Sequence, residues 1–449
     1  MKCALSFLAV VLLVAASTAS AQTVAFENVN VIPMDRERVI AQQTVIVRDG
    51  RISQIGPSAS VKAPAGAVRV DGTGKFLIPG LAEMHGHLTA SYLPKEATAD
   101  ILFLYVANGV TTVRAMLGSP EAIVTRDAVA SGKLLGPKLY VAGPALNVKT
   151  VPTPQDAERT VREQKQLGYD LLKILGGMPP DVYNAIMSTA RAVKIDVAGH
   201  VPADVGVRGA LSAGQRSIDH LDNYIASLKL APDTSREEED RRIAELAQLT
   251  AKSGTWSVPT MLLWDYFHNA ETGEATRKSL PEVRYMPASM VGEWVKSKNG
   301  RLTPPNDTPS GVAAFGQTGV RVMELRRKIF KALKAADAPI ALGTDSPQMF
   351  SVPGFSIHRE LKLMVDVGFT PYEAIASGTT KVSEYFGTMA DSGTVATGKR
   401  ADLILLNANP LEDIANAERR SGVMVNGRWL AASEIEKRLE EIAARAEKM

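Results

Sequence analysis

Lys75-Phe76-Leu77-Ile78-Pro79-Gly80-Leu81-Ala82-Glu83-Met84-His85-Gly86-His87 is an apolar run that ends in two histidines two positions apart. It reads as a buried strand, 76–84, whose last side chains leave the core and enter a site. On a strand, residues i and i+2 share a face, so His85 and His87 can reach one cation while Gly86 keeps the backbone between them slim. Two core histidines satisfied by backbone carbonyls would give the same pattern, so the reading rests on what else converges there.

Outward from this stretch, short apolar runs at 110–113, 138–141, 171–175, 196–198, 217–218, 256–258 and 339–342 alternate with longer amphipathic segments. Alternation of that kind marks repeated β-α units. With 76–84 the runs number eight, which predicts an α/β fold, a (β/α)8 TIM-like barrel, over 75–390. Chemistry in that architecture gathers where strands end. The residues at those places are His85 and His87, Arg114, Lys173, His200, His220, Thr260 and Asp345, so four of the six histidines stand at strand ends.

The flanks are β-rich. Residues 22–74 alternate runs such as Thr44-Val45-Ile46-Val47 with turn signals such as Asp49-Gly50, and 391–431 contain Leu403-Ile404-Leu405-Leu406 and Val423-Met424-Val425-Asn426-Gly427. The two segments are expected to pair into a small β-sandwich satellite domain built from both chain ends, with 432–449 a charged surface helix. The longest connection, 261–338, holds Trp264, Tyr266, His268, Trp294, Pro304 and Pro305. A pocket wall or lid is expected there, the other reading being a helical insertion away from substrate.

A chain of 449 residues, 45% hydrophobic, can fill one large barrel and a satellite. Met1 to Ala21 reads as a signal peptide: Lys2, an apolar run over 4–16, then Ala19-Ser20-Ala21, with cleavage before Gln22. The apolar run falls short of the roughly 20 residues of a spanning helix, so an exported protein, periplasmic or secreted and without stable membrane insertion, is expected. The single cysteine, Cys3, lies in that segment, which excludes disulfides, thiolate ligands and cysteine nucleophiles from the mature chain. A net charge of +3 gives no general attraction to nucleic acid. The number of subunits is open, and a homo-oligomer is compatible with the sequence.

Imidazole suits zinc and other late divalent ions. His85 and His87 with Asp345 make one candidate site, and His200 with His220 a second. Lys173 is the unusual member, because an ammonium among cations would be repelled until it became neutral. A neutral amine can take up carbon dioxide as a carbamate, N6-carboxylysine, whose oxygens can bridge two ions; otherwise Lys173 belongs to a one-metal site or pairs with an acid. Two ions roughly 3.5 to 4 Å apart would hold a bridging hydroxide. Asp345 would then carry the proton from that nucleophile to the leaving group. Arg114, as a bidentate partner for a carboxylate, His358 and Tyr224 are the candidate substrate-binding residues.

These motifs in this order resemble the amidohydrolase superfamily. They are His85-Gly86-His87 after Ile78-Pro79-Gly80-Leu81, Gly109-Val110-Thr111-Thr112-Val113-Arg114, Gly168-Tyr169-Asp170-Leu171-Leu172-Lys173, Ala198-Gly199-His200-Val201-Pro202, Ser217-Ile218-Asp219-His220-Leu221 and Gly343-Thr344-Asp345. Within it the chain looks similar to imidazolonepropionase-like and Xaa-Pro-dipeptidase-like members, chiefly in 353–361 and 398–403. The resemblance implies a metal-dependent hydrolase with His85, His87, Lys173, His200, His220 and Asp345 as ligands of two divalent ions, zinc above all. Two departures touch the substrate pocket: Ala115 stands where many dipeptidase-like relatives have an acid, and 143–147 lack the histidine of their third loop. Imidazolonepropionases lack the bridging lysine, so Lys173 argues for two metals.

The function expected is cleavage of an amide C–N bond in a small molecule, a dipeptide or an N-acyl amino acid. A cyclic amidase, lactonase or phosphotriesterase would use the same site, and a non-catalytic binding relative is the rival of another class. Four further features invite over-reading. Gly393 to Lys399 matches most of a phosphate-binding loop, but Arg400 replaces the Ser or Thr that would hold magnesium. Ser235 with Glu238 reads as a capping box, and Ser346 as a cap rather than a nucleophile. His268 reads as structural or exposed.

Overall fold

The computed structural model describes residues 23–88, 97–302 and 309–449, of which 302 and 309–317 by backbone alone. The expected signal peptide at 1–21 and the two prolines Pro304 and Pro305 lie outside the described residues. The chain opens with β1 (Val24–Val31), β2 (Ile40–Arg48), β3 (Arg51–Pro57), β4 (Val68–Asp71) and β5 (Phe76–Pro79). There follow β6 (Leu81–Gly86), β7 (Val110–Ala115), β8 (Lys138–Val141), β9 (Leu146–Asn147) and β10 (Leu171–Gly176). After these come β11 (Asp196–Gly199), β12 (Ser217–Asp219) and β13 (Trp256–Val258). The last strands are β14 (Leu403–Leu406), β15 (Arg420–Val425) and β16 (Arg428–Ala431).

Both chain ends meet in one eight-stranded mixed sheet, ordered β16-β15-β14-β5-β1-β2-β3 with β4 beside β1. Strands from both chain ends are joined in this sheet, where β14 runs antiparallel to β5 with Leu403 opposite Pro79 and Leu406 opposite Phe76. One apolar cluster gathers side chains from both ends of the chain, among them Val24, Phe26, Val45, Leu77, Leu403 and Met424.

The run 76–84 is therefore two strands in two sheets. The change falls at Gly80, where an added Cβ would stand 2.1 Å from Thr111 Oγ1, and Gly80 N donates instead to Asp402 O at 2.8 Å. Only a residue without a side chain lets the backbone pass that close to β7.

The middle of the chain is α/β with parallel strands. One sheet runs β6-β7-β8 and the other β13-β12-β11-β10-β9. A parallel bridge between Ala142 and Leu171 links them on one side. On the other, Ser257 bridges Ile340, Met84 N donates to Leu342 O at 2.9 Å and Asp345 N to His85 O at 2.7 Å. The predicted eighth strand at 339–342 thus makes single bridges rather than a ladder. It begins with Pro339, which has no N–H to donate, and ends at the turn of 343–345.

The long connection is helical, with helices Met261–His268, Gly273–Ser279, Ala288–Leu302 and Pro309–Ala335. Ser235 caps the helix Arg236–Ser253 by accepting from Glu238 N at 3.2 Å. The reciprocal half of the expected capping box is not formed, because the Glu238 carboxylate is taken by Arg241 and Arg242. Residues 393–399 form a turn against β3, with Gly398 N donating to Ile52 O, and no strand-to-helix setting surrounds them. The helix Ala432–Ala446 buries Ile435, Leu439, Ile442 and Ala446. Among the described residues no helix is long and apolar enough to cross a membrane.

Candidate metal centre

His85 lies at the end of β6 and His87 just beyond it. Both are tied by backbone to the segment carrying Asp345: Asp345 N donates to His85 O and His87 N to Ser346 O. Gly86 sits where an added Cβ would meet Tyr105 Oη at 2.6 Å and Glu83 Cγ at 2.9 Å, so the slim backbone expected between the histidines is a packing requirement. Asp345 has φ +62°, in the left-handed region that aspartate tolerates better than most residues. Its Oδ1 is 2.6 Å from His87 Nε2 and 3.6 Å from His85 Nε2, and its Oδ2 is 3.7 Å from His220 Nε2. Ligand atoms of His85, His87 and Asp345 all lie within 4.8 Å of one another, and all three residues are buried.

The second pair adjoins the first. Ring centroids of His85 and His220 are 4.4 Å apart and those of His200 and His220 4.8 Å, so the structure brings all four histidines together. Lys173, on β10, places Nζ 3.0 Å from His85 Nε2. Burial lowers its ammonium to about 8, opposed by Asp219 and Asp345, so burial does more than neighbouring charge to favour the neutral amine. Burial likewise holds His85 and His220 well below the usual imidazole range, with Lys173 and the neighbouring imidazoles adding to it.

Three of these rings are held from behind through Nδ1: His85 by Asp219 Oδ2 at 2.7 Å, His220 by Thr260 Oγ1 at 2.8 Å and His200 by Asp222 Oδ2 at 3.2 Å. A carboxylate or hydroxyl on one ring nitrogen leaves the other for a cation, as metal-ligating histidines require. His87 Nδ1 is buried with no hydrogen-bond partner among the described residues. Four imidazoles, one carboxylate and a lysine whose proton burial loosens form a donor set that fits a divalent metal ion.

Asp219, Asp222 and Glu83 were not singled out from the sequence. The available signal was an acid directly before a strand-end histidine in Ser217-Ile218-Asp219-His220 and another two residues before His85. Glu83 accepts from His85 N at 2.9 Å, Thr344 N at 2.7 Å and Thr344 Oγ1 at 2.5 Å, fastening the two ligand segments; burial lifts its carboxyl to about 8.

The three expected substrate-binding residues are engaged elsewhere. Arg114 is fully buried and commits all five N–H groups: Nε to Met84 O, one terminal nitrogen to Ser217 Oγ and Tyr385 Oη, the other to both oxygens of Asp219. It braces the carboxylate that orients His85 and has no donor left for a substrate. Tyr224 is 1% exposed, and its hydroxyl bonds Thr250 Oγ1 in the core. His358 lies beside Asn108 O and Arg420, next to the start of β7 and so at the strand end opposite the histidines.

A buried cluster of imidazoles and a carboxylate at the C-terminal ends of parallel strands defines the class of the molecule, an α/β metal-dependent hydrolase. The profile of the amidohydrolase family matches residues 76–430. The chain belongs to that family, whose members act on C–N bonds. It is 26% identical over 419 residues to the imidazolonepropionase of Ralstonia nicotianae, covering 84% of this chain and 89% of that one. Among solved structures, a Xaa-Pro dipeptidase with bound methionine superposes with a TM-score of 0.68 at 21% identity, over 91% of this chain and 100% of the other. Bottromycin amidohydrolase superposes with a TM-score of 0.73 at 21% identity, over 94% and 90%.

Proposed function

We propose that the chain is an exported hydrolase cleaving the amide C–N bond of a dipeptide or N-acyl amino acid, with a two-ion zinc centre. In this reading His85, His87, Lys173 as its carbamate, His200, His220 and Asp345 hold the ions inside a (β/α)8 barrel over 75–390, and the leader at 1–21 directs the chain to the periplasm or medium. The observation that carries it is the Asp345 carboxylate, one oxygen facing His85 and His87 and the other His220. A divalent ion supplies the Lewis acid that polarises a carbonyl and makes water a nucleophile near neutral pH.

The chain's own residues supply orientation and the proton path. Asp219, braced by Arg114, holds the Nδ1 proton of His85, and Thr260 fixes the His220 ring. Asp345 Oδ1 bonds His87, which leaves Oδ2 to accept the proton of the attacking water and return it to the leaving nitrogen.

A one-ion centre is the second reading, favoured by the direct 3.0 Å approach of Lys173 Nζ to His85 Nε2 and by the three-residue cluster of His85, His87 and Asp345. Metal content per chain separates the two, with wild type beside Lys173→Ala and hydrolysis of a mixed dipeptide and N-acyl amino acid panel followed in parallel. Two equivalents falling to one or none, with activity lost, is the expected result; one equivalent in both with activity kept would establish the one-ion centre.

A further inference from the structure

The helix Pro309–Ala335, part of the long connection after β13, sends one cation to the edge of the histidine cluster. Arg326 is 7% exposed, and a terminal nitrogen donates to His220 O at 2.5 Å. Its guanidinium carbon lies 3.5 Å from the centre of the Trp264 ring, on the helix that follows β13. The planar cation is therefore stacked and locked in place. Yet its Nε is buried without an acceptor, and no carboxylate lies within 4.0 Å of it, among the described residues. Trp264 Nε1, in the same stack, is a second buried donor without a partner.

The other interior arginines show what a satisfied guanidinium looks like in this protein. Arg114 faces Asp219 with all its donors used, and Arg420 donates to Ala107 O, Asn108 Oδ1 and His358. The acid whose charge acts on Arg326 is Asp222, which makes no direct contact with it; Asp222 Oδ2 accepts from Val201 N at 3.1 Å and pairs with His200 Nδ1 at 3.2 Å. A buried donor left without an acceptor is costly, and an incoming carboxylate oxygen supplies the acceptor. The same residue that accepts from Arg326 through its backbone, His220, turns its ring toward Asp345, so a single residue connects the cation to the histidine cluster.

We propose that Arg326, stacked on Trp264, is the subsite for the free carboxylate of the substrate. The proposal rests on the amide-hydrolase reading and narrows it to substrates whose leaving amine is an amino acid, replacing Arg114 in the role the sequence suggested.

The test uses metal-loaded wild type, Arg326→Met and Arg326→Lys, with N-acyl amino acids each paired with the matching primary amide. Acyl C–N cleavage is followed by kinetics and binding by calorimetry. Loss of a charge-assisted pair predicts a fall in kcat/KM of about 10- to 100-fold for the acids in Arg326→Met, with the amides changed less than about threefold and Arg326→Lys between. Equal losses on acids and amides would overturn the proposal and leave Arg326 as a support for His220 alone. If wild type cleaves neither but binds the acids above the amides, and Arg326→Met erases that preference, the carboxylate subsite stands while the hydrolytic reading falls. No cleavage and no preference for the acids would overturn the subsite.

Discussion

At the scale of single residues, the centre is governed by groups that touch no substrate. Arg114, Asp219 and His85 form a chain of charge-assisted hydrogen bonds, fully buried, that sets which nitrogen of His85 is free. Asp219→Asn keeps the shape but offers His85 an amide in place of an anion. Metal titration of this variant should show a loss of affinity of about 10- to 100-fold. Denaturant unfolding should show a stability loss on the order of 3 kcal/mol, because Arg114 is left buried beside a neutral group. Unchanged affinity would mean that Asp219 serves Arg114 and not the centre. Arg114 is turned away from the role first expected of it for a reason that spacing does not carry: a strand-end arginine can face substrate or the protein interior, and the direction depends on which buried acid lies across from it.

At the scale of elements, the helix Met261–His268 is capped from outside itself. Thr260 at its N-cap has φ +46° and makes no side-chain cap, because its hydroxyl holds His220 Nδ1. The two orphan amides of Met261 and Leu262 donate instead to the two oxygens of Glu360, each at 2.8 Å, from the helix Phe355–Asp366. Division of labour of this kind positions Trp264 and frees Thr260 for the histidine. Glu360→Gln leaves one of the two amides facing an N–H and should cost about 1 to 2 kcal/mol near neutral pH, read by denaturant unfolding.

The pH dependence of that difference follows from burial, which raises the Glu360 carboxyl from 4.5 to about 7. The folded state then binds a proton that the unfolded state has released, so the contribution of this group is fully present below pH 4.5 and is lost as pH rises through 7. Midpoints measured at pH 5, 6 and 7 should show wild type losing stability relative to Glu360→Gln across that window. A pH-independent difference would show that the carboxyl titrates alike in both states.

At the scale of the whole molecule, the first and last segments of the chain share one sheet and one apolar cluster, while the strand that carries His85 starts one residue after β5 leaves that sheet. Pairing of β14 with β5 therefore braces the start of β6. A chain ended at 390 loses β14, β15 and β16 and uncovers Leu77, Val24 and Phe26. Its soluble fraction and circular dichroism should show aggregation or unfolding of the whole chain, not of a detached domain; a soluble, folded truncation would show that the rest is independent of this sheet. Binding at the centre should couple to global stability in the same way. Zinc at a hundredfold excess over its dissociation constant should add about 2.7 kcal/mol. The corresponding rise in unfolding temperature should vanish in Asp345→Ala, whose carboxylate faces both histidine sets.

Periodicity and residue type were enough to read the β-α alternation, the bracketing β segments and the meeting of His85, His87, His200, His220, Lys173 and Asp345. Those features depend on local propensity and on which residues end a strand, and both are written along the chain. The split of 76–84 at Gly80, the joining of both ends in a single sheet, the use of Asp219, Asp222 and Glu360 as supports, and the reach of Arg326 to His220 came only from the tertiary structure. Each joins residues far apart in sequence, where a hydrogen bond or a buried charge chooses its partner by three-dimensional proximity that no local pattern encodes.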